Sequence, residues 1–193
     1  MPTIKITDAA VEPLTLAEAK THLRETLTDT LNDALITALI KVAREAAEAR
    51  LQRTLLTTTW QRTLDCFPSR NDPVELHMPR VIAVTSVQYV APDGVLTPMD
   101  QSAYDLEPTA EPGLLLPAYN TSWPATRVRP GAVQIQYTAG YGATADKIPT
   151  PIVQWIKLAL TDLYENRTRS AERPVLPQAF AEGLLDHYKV WSV

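Results

Sequence analysis

Proline and glycine are distributed so unevenly that they set the architecture before any motif is considered. Of the 16 prolines, 12 lie between Pro68 and Pro151, and five of the six glycines lie between Gly94 and Gly142. No long helix can run through such a stretch, because proline removes a backbone donor and clashes with the preceding turn. The two flanks carry few of either residue. The chain therefore reads as helical, then turn-rich, then helical. This predicts an α+β fold: an α-helical bundle built from residues 1–53 and 149–193, with an inserted small antiparallel β domain at 54–148.

The N-terminal flank opens with an extended arm, residues 1–13, expected to reach out. Thr15 and Glu18 have the spacing of a capping box, and Leu14 can staple to Ala19, predicting a short helix over 16–25. Asp29 is the expected cap of a second helix running to Arg53. On it Leu31, Leu35, Leu39, Val42 and Ala46 form one stripe, and Ile36, Ile40, Ala43 and Ala47 form a second. Together they cover an arc of about 200°, wider than the roughly 100° of a one-sided surface helix. Such a helix needs cover on two sides, from its own chain or from a neighbouring subunit.

The middle segment reads as short strands over 55–65, 74–78, 81–90, 95–96, 104–106, 113–116 and 132–137, forming a small antiparallel sheet or barrel. Ala91-Pro92-Asp93-Gly94 makes the turn of a hairpin. Helix resumes with Thr150 as cap and Pro151 at the first position. A final helix over 178–188 carries Leu184, Tyr188 and Trp191 at helical spacing.

Chemistry is sparse. His22, His77 and His187 fall in three separate elements without a second ligand at metal-binding spacing. The single cysteine, Cys66, excludes an internal disulfide and reads as an inert, semi-buried thiol. Gly140-Tyr141-Gly142 lacks the pattern of a phosphate loop and reads as a tight turn. No nucleophile, base or metal set converges, so no catalytic, metal or cofactor residue is assigned. With 18 basic and 22 acidic side chains the net charge is −4, which gives no drive toward nucleic acid or an anionic membrane. No apolar run reaches membrane-spanning length, and the N-terminus lacks a signal-peptide core, so synthesis in the cytoplasm is expected. Arg167, Arg169 and Arg173 form the only basic cluster, either a solvated loop or a contact with an acidic partner or passing DNA.

Five segments in order carry a resemblance. They are Glu12-Pro-Leu-Thr-Leu-Ala-Glu-Ala-Lys20; the alanine-rich run from Leu35 to Arg50; Gln136-Tyr-Thr-Ala-Gly-Tyr-Gly142 followed by Ile148-Pro149; Leu160-Thr-Asp-Leu-Tyr-Glu-Asn-Arg167; and Leu184-Leu-Asp-His-Tyr-Lys-Val-Trp191. Over nearly its whole length the chain resembles the head–tail connector (adaptor, or head-completion) proteins of tailed bacteriophages and gene transfer agents. The resemblance implies a non-enzymatic virion protein without cofactors, made in the host cytoplasm and located in the neck. It implies a ring, usually of twelve copies, beneath the portal protein, which extends the DNA channel without binding DNA specifically. A further neck component, a stopper or tail terminator, would bind it. Closing a ring takes a heterologous interface. The candidate subunit and portal contacts are Leu35, Ile36, Leu39, Ile40, Arg167, Arg169, Arg173, Leu184, Tyr188 and Trp191, with the C-terminal helix and tail toward the portal. The alternatives are another neck or tail-completion protein of tail-terminator type, or a small DNA-packaging factor. A basic helix-turn-helix would favour the latter, yet residues 1–53 hold 8 acidic and 7 basic side chains.

Overall fold

The computed structural model describes residues 3–166 and 179–190. The chain is α+β, with four helices and two antiparallel sheets among the described residues. It divides into two units, one of residues 1–9 and 57–141, the other of 10–56 and 142–193.

The first unit holds eight strands: β1 (Thr3–Thr7), β2 (Thr58–Leu64), β3 (Val74–Leu76), β4 (Val81–Val90), β5 (Leu96–Pro98), β6 (Tyr104–Glu107), β7 (Gly113–Pro117) and β8 (Val133–Ala139). Five of them form a sheet in the order β1-β2-β8-β4-β5, and three form a second in the order β3-β7-β6. The single sheet or barrel expected from sequence is thus two sheets. The alternation on β8 puts Val133, Ile135, Tyr137 and Ala139 inward, all fully buried. They share one apolar core with Trp60, Leu64, Leu76, Val84, Val87 and Leu115, drawn from both sheets. The Tyr137 hydroxyl, carried into that core, donates to the His77 carbonyl at 2.5 Å, which satisfies a polar group that could not be left dry.

The N-terminal arm does not reach out. Thr3 to Thr7 pairs antiparallel with β2, Ile4 opposite Gln61 and Lys5 opposite Trp60. Alternation over five residues is too short a signal to separate a strand from an extended arm, and the partner strand lies more than 50 residues away. At the other end of the unit Gly140 takes φ +138°, so the tight turn is real at that glycine. Cys66 is exposed, not semi-buried, because it follows the last inward residue of β2 and lies outside the sheet.

The second unit holds α1 (Leu16–Leu23), α2 (Asp33–Leu51), α3 (Thr150–Glu165) and α4 (Ala179–Asp186). The capping box of α1 forms as its sequence requires: the Thr15 side chain accepts from the Glu18 N–H at 3.2 Å, and the Glu18 carboxylate accepts from the Thr15 N–H at 2.8 Å. Helix α2 begins later than expected. Asp29 spends its carboxylate on the Leu31 N–H at 2.9 Å, an Asx turn, and the helix starts after Asn32. Buried Lys20 explains why the intervening loop holds its shape. Its ammonium donates to the Leu27 and Asp29 carbonyls and pairs with Asp33 in the first turn of α2. On α3, Ile152, Trp155, Ile156 and Leu160 are buried, whereas Val153, Leu158, Ala159 and Leu163 are only partly covered. Thr150 and Pro151 sit one position further into the helix than expected, with Pro149 at the cap.

Candidate functional site

Helix α2 is the element that the single chain does not finish covering. At 100° per residue its side chains sort into two apolar stripes. Ile36, Ala43, Ala47 and Leu51 are fully buried and Ile40 is 2% exposed. On the other stripe lie Leu35, Ala38, Leu39, Val42, Ala46 and Ala49, with no charge among them. Leu35 and Val42 are exposed, Leu39 and Ala46 only partly covered, and Leu31, just before the helix, is 85% exposed. Ala38, Ala46 and Ala49 between the larger residues let another backbone approach closely.

What fixes the orientation of that stripe is a buried ionic network on the opposite side of α2. Arg44 is fully buried. Its Nε donates to Glu12 at 2.8 Å, and its Nη1 donates to Glu48, one turn on, at 3.0 Å. The other oxygen of Glu48 accepts the Leu55 N–H at 3.0 Å. One guanidinium thereby ties the segment before α1, helix α2 and the strap leaving α2 into one piece, and α2 cannot roll without breaking it. At the C-terminal end of α2, Arg53 Nε donates to the Tyr188 carbonyl at 2.9 Å, and the Val190 N–H donates to Leu51 at 3.0 Å.

The sequence-derived candidates therefore separate. Leu35 and Leu39 lie on the uncovered stripe. Ile36 and Ile40 lie on the buried one, where a neighbouring molecule cannot reach them. Leu184 and Tyr188 are partly exposed near the end of α4, with the main chain at 188–190 held against α2. Arg167, Arg169, Arg173 and Trp191 lie outside the described residues. Val42 belongs to the uncovered stripe too, and its signal was the helical spacing already visible in the sequence, whereas Leu31, expected on the same stripe, lies in the turn before the helix.

A cleft of about 740 Å³ beside α1, α3 and α4 carries His22, Arg24, Asp162 and Glu165 on its wall, but His22 has no hydrogen bond to either carboxylate. Among the described residues no cluster of His, Cys, Asp and Glu could hold a metal ion, and no helix is long and apolar enough to cross a membrane.

No family model and no curated protein matches the sequence. Solved structures do. The chain is similar to one from the neck of an empty gene transfer agent (GTA) particle computed with C6 symmetry, with 25% identity and a TM-score of 0.83 over 100% of this chain and 97% of that one. It is similar to a chain from the virion of a native gene transfer agent particle, with 25% identity and a TM-score of 0.80 over the same shares. A chain from the neck of a native GTA particle computed with C12 symmetry has the same fold, at 24% identity and a TM-score of 0.79. The first two likenesses support a structural component of a virion neck.

Proposed function

We propose that the protein is a head–tail connector of adaptor type, assembling as a twelve-membered ring beneath the portal of a tailed phage or gene transfer agent. It extends the DNA channel and joins the head to the next neck component. The observation that carries this reading is the full-length likeness to neck and virion chains of GTA particles. A ring is supported by the rotational symmetry of such a neck and by the stripe of α2 that one molecule leaves uncovered.

In the ring, Leu35, Leu39 and Val42 of one copy pack against a different surface of the next. The helical unit, formed from residues 10–56 and 142–193, is the ring's body. The portal-facing end is the C-terminal one, with Leu184, Tyr188 and Trp191, and the basic segment at Arg167, Arg169 and Arg173. Tail terminators are expected to be β-dominated, which the four helices among the described residues do not favour.

The test is Val42→Asp together with Leu35→Asp, read by native mass spectrometry of the purified chain alone and with portal. Both side chains lie on the surface of the monomer, so its stability changes by no more than about 1 kcal/mol. Assembly on the portal is lost, since a carboxylate would be buried without a partner. Rings forming from the double variant as from wild type would overturn the interface. A wild-type chain that never forms a ring with portal would overturn the connector reading.

A further inference from the structure

We propose that the tip of the β4–β5 hairpin and the loop between β7 and β8 form a second docking patch, for another neck protein that offers an apolar pocket rimmed by carboxylates. The proposal rests on the connector reading above.

The loop, residues 118–132, is longer than most connections in a compact unit, and it is held rather than loose. The Trp123 ring stacks on Phe67 with centroids 4.6 Å apart and planes 2° from parallel. Its Nε1 donates to the Asp72 carbonyl at 3.1 Å. Asn71 donates its amide to the Thr121 carbonyl and accepts the Trp123 N–H, at 3.1 and 3.3 Å. Further along, the Arg127 N–H donates to Val90 at 2.9 Å and the Gly131 N–H to Asp65 at 3.0 Å. A surface fixed in this way loses little entropy when a partner docks.

What it displays is apolar. Val128 is 95% exposed, Val95 58% and Leu96 51%. Leu96 pairs with Val90, whose carbonyl takes the Arg127 N–H, so the hairpin tip and the loop lie side by side. Single exposed apolar residues need no explanation, but three gathered on held backbone are the anatomy of an interface centre.

Charge names the partner. Arg127 and Arg129 flank Val128, both are exposed, and neither has an ion pair among the described residues. The Arg127 guanidinium rests on the hairpin turn, 2.7 Å from where a Cβ on Gly94 would sit. Between Glu111 and Asp146 the sequence has no acidic residue. Asp93, the nearest acid along the hairpin, spends a carboxylate oxygen on the Val95 N–H at 2.9 Å. A cationic rim around an apolar centre, on a chain of net charge −4, complements an acidic-rimmed pocket. Two arginines with valine between them lack the extended basic stripe that a DNA backbone takes.

The experiment supplies variants to producing cells that lack the wild-type chain and counts tailed particles. Val128→Asp with Leu96→Asp, and separately Arg127→Glu with Arg129→Glu, are expected to lower the yield by at least about tenfold. Arg127→Lys with Arg129→Lys should keep it, because the charge is retained. Each purified variant should melt as wild type and form rings as wild type. Unchanged yield overturns the proposal. Rings lost in the Val128 variant would make the patch a contact between copies and overturn the partner assignment. Duplex DNA binding by the purified chain that vanishes in the Arg127 variant would overturn it in favour of nucleic acid. Purified particles that lack the wild-type chain altogether would sink the connector reading instead.

Discussion

Replacing Arg44 with alanine tests the physical basis of the uncovered helix face. The guanidinium is fully buried, and Glu48, its partner, is 5% exposed at the side chain, while Glu12 is 26% exposed. Arg44→Ala takes the guanidinium away from the buried Glu48 carboxylate, which keeps the Leu55 N–H bonded to it, whereas Glu12 can turn to water. Breaking a buried ion pair from one side costs about 3–5 kcal/mol. Against a total stability of about 5–15 kcal/mol that is a large share, and for a chain of this length it lowers the melting temperature by about 6–20 °C. Urea and thermal unfolding followed by far-ultraviolet circular dichroism measure it. Arg44→Met with Glu48→Gln separates charge from packing. The amide oxygen still accepts from Leu55 and the Arg44–Glu48 charge pair is removed as a whole, so this pair of substitutions should cost no more than about 2 kcal/mol. A loss below about 1 kcal/mol in Arg44→Ala, or a double variant as unstable as the single one, would refute the argument.

Four further outcomes follow from local chemistry. Thr15→Ala removes the cap of α1 and should cost about 1 kcal/mol in unfolding experiments. Thr15, through its N–H first and its hydroxyl second, holds the Glu18 carboxyl below its ordinary value of 4.5. Its contribution is therefore present above that value and lost as pH falls through the lower folded one. The stability gap between wild type and Glu18→Gln should accordingly be constant near neutrality and close in acid. Burial, the dominant cause, pushes the Tyr137 phenol far above the range of a free tyrosine. Tyr137 should therefore stay protonated until global alkaline unfolding releases it, and Tyr137→Phe, which leaves the His77 carbonyl without its donor, should cost about 1–3 kcal/mol.

How far the sequence could be read depended on the range of the interactions involved. The capping box at Thr15 and Glu18, the hairpin after Val90 and the inward alternation of β8 are settled within a few residues, and they were legible. The start of α2 was not, since it is decided by Lys20 reaching across to the Leu27 and Asp29 carbonyls and to Asp33. Nor was β1, whose strand identity comes from pairing with Trp60 and Gln61. Helical spacing on α2 revealed two apolar stripes, but not which of them the chain would bury. That choice is made by Arg44, which sits between Glu12 and Glu48 and turns Ile36 and Ile40 inward and Leu35 and Val42 outward. The patch at Val95, Leu96 and Val128 left no periodic trace, because a held loop has no repeat. Its only linear mark was Arg127-Val128-Arg129 within a stretch devoid of acidic residues.

Photo-crosslinking in assembled particles puts the ring interface to the most direct test. A photoreactive residue replaces Val42 in one preparation and Glu45, on the neighbouring charged face of the same helix, in another. If α2 seals the ring, Val42 yields a ladder of covalently joined copies of this chain and Glu45 yields few. Efficient ladders from Glu45 with none from Val42, or products from Val42 joined only to other proteins, would contradict the account.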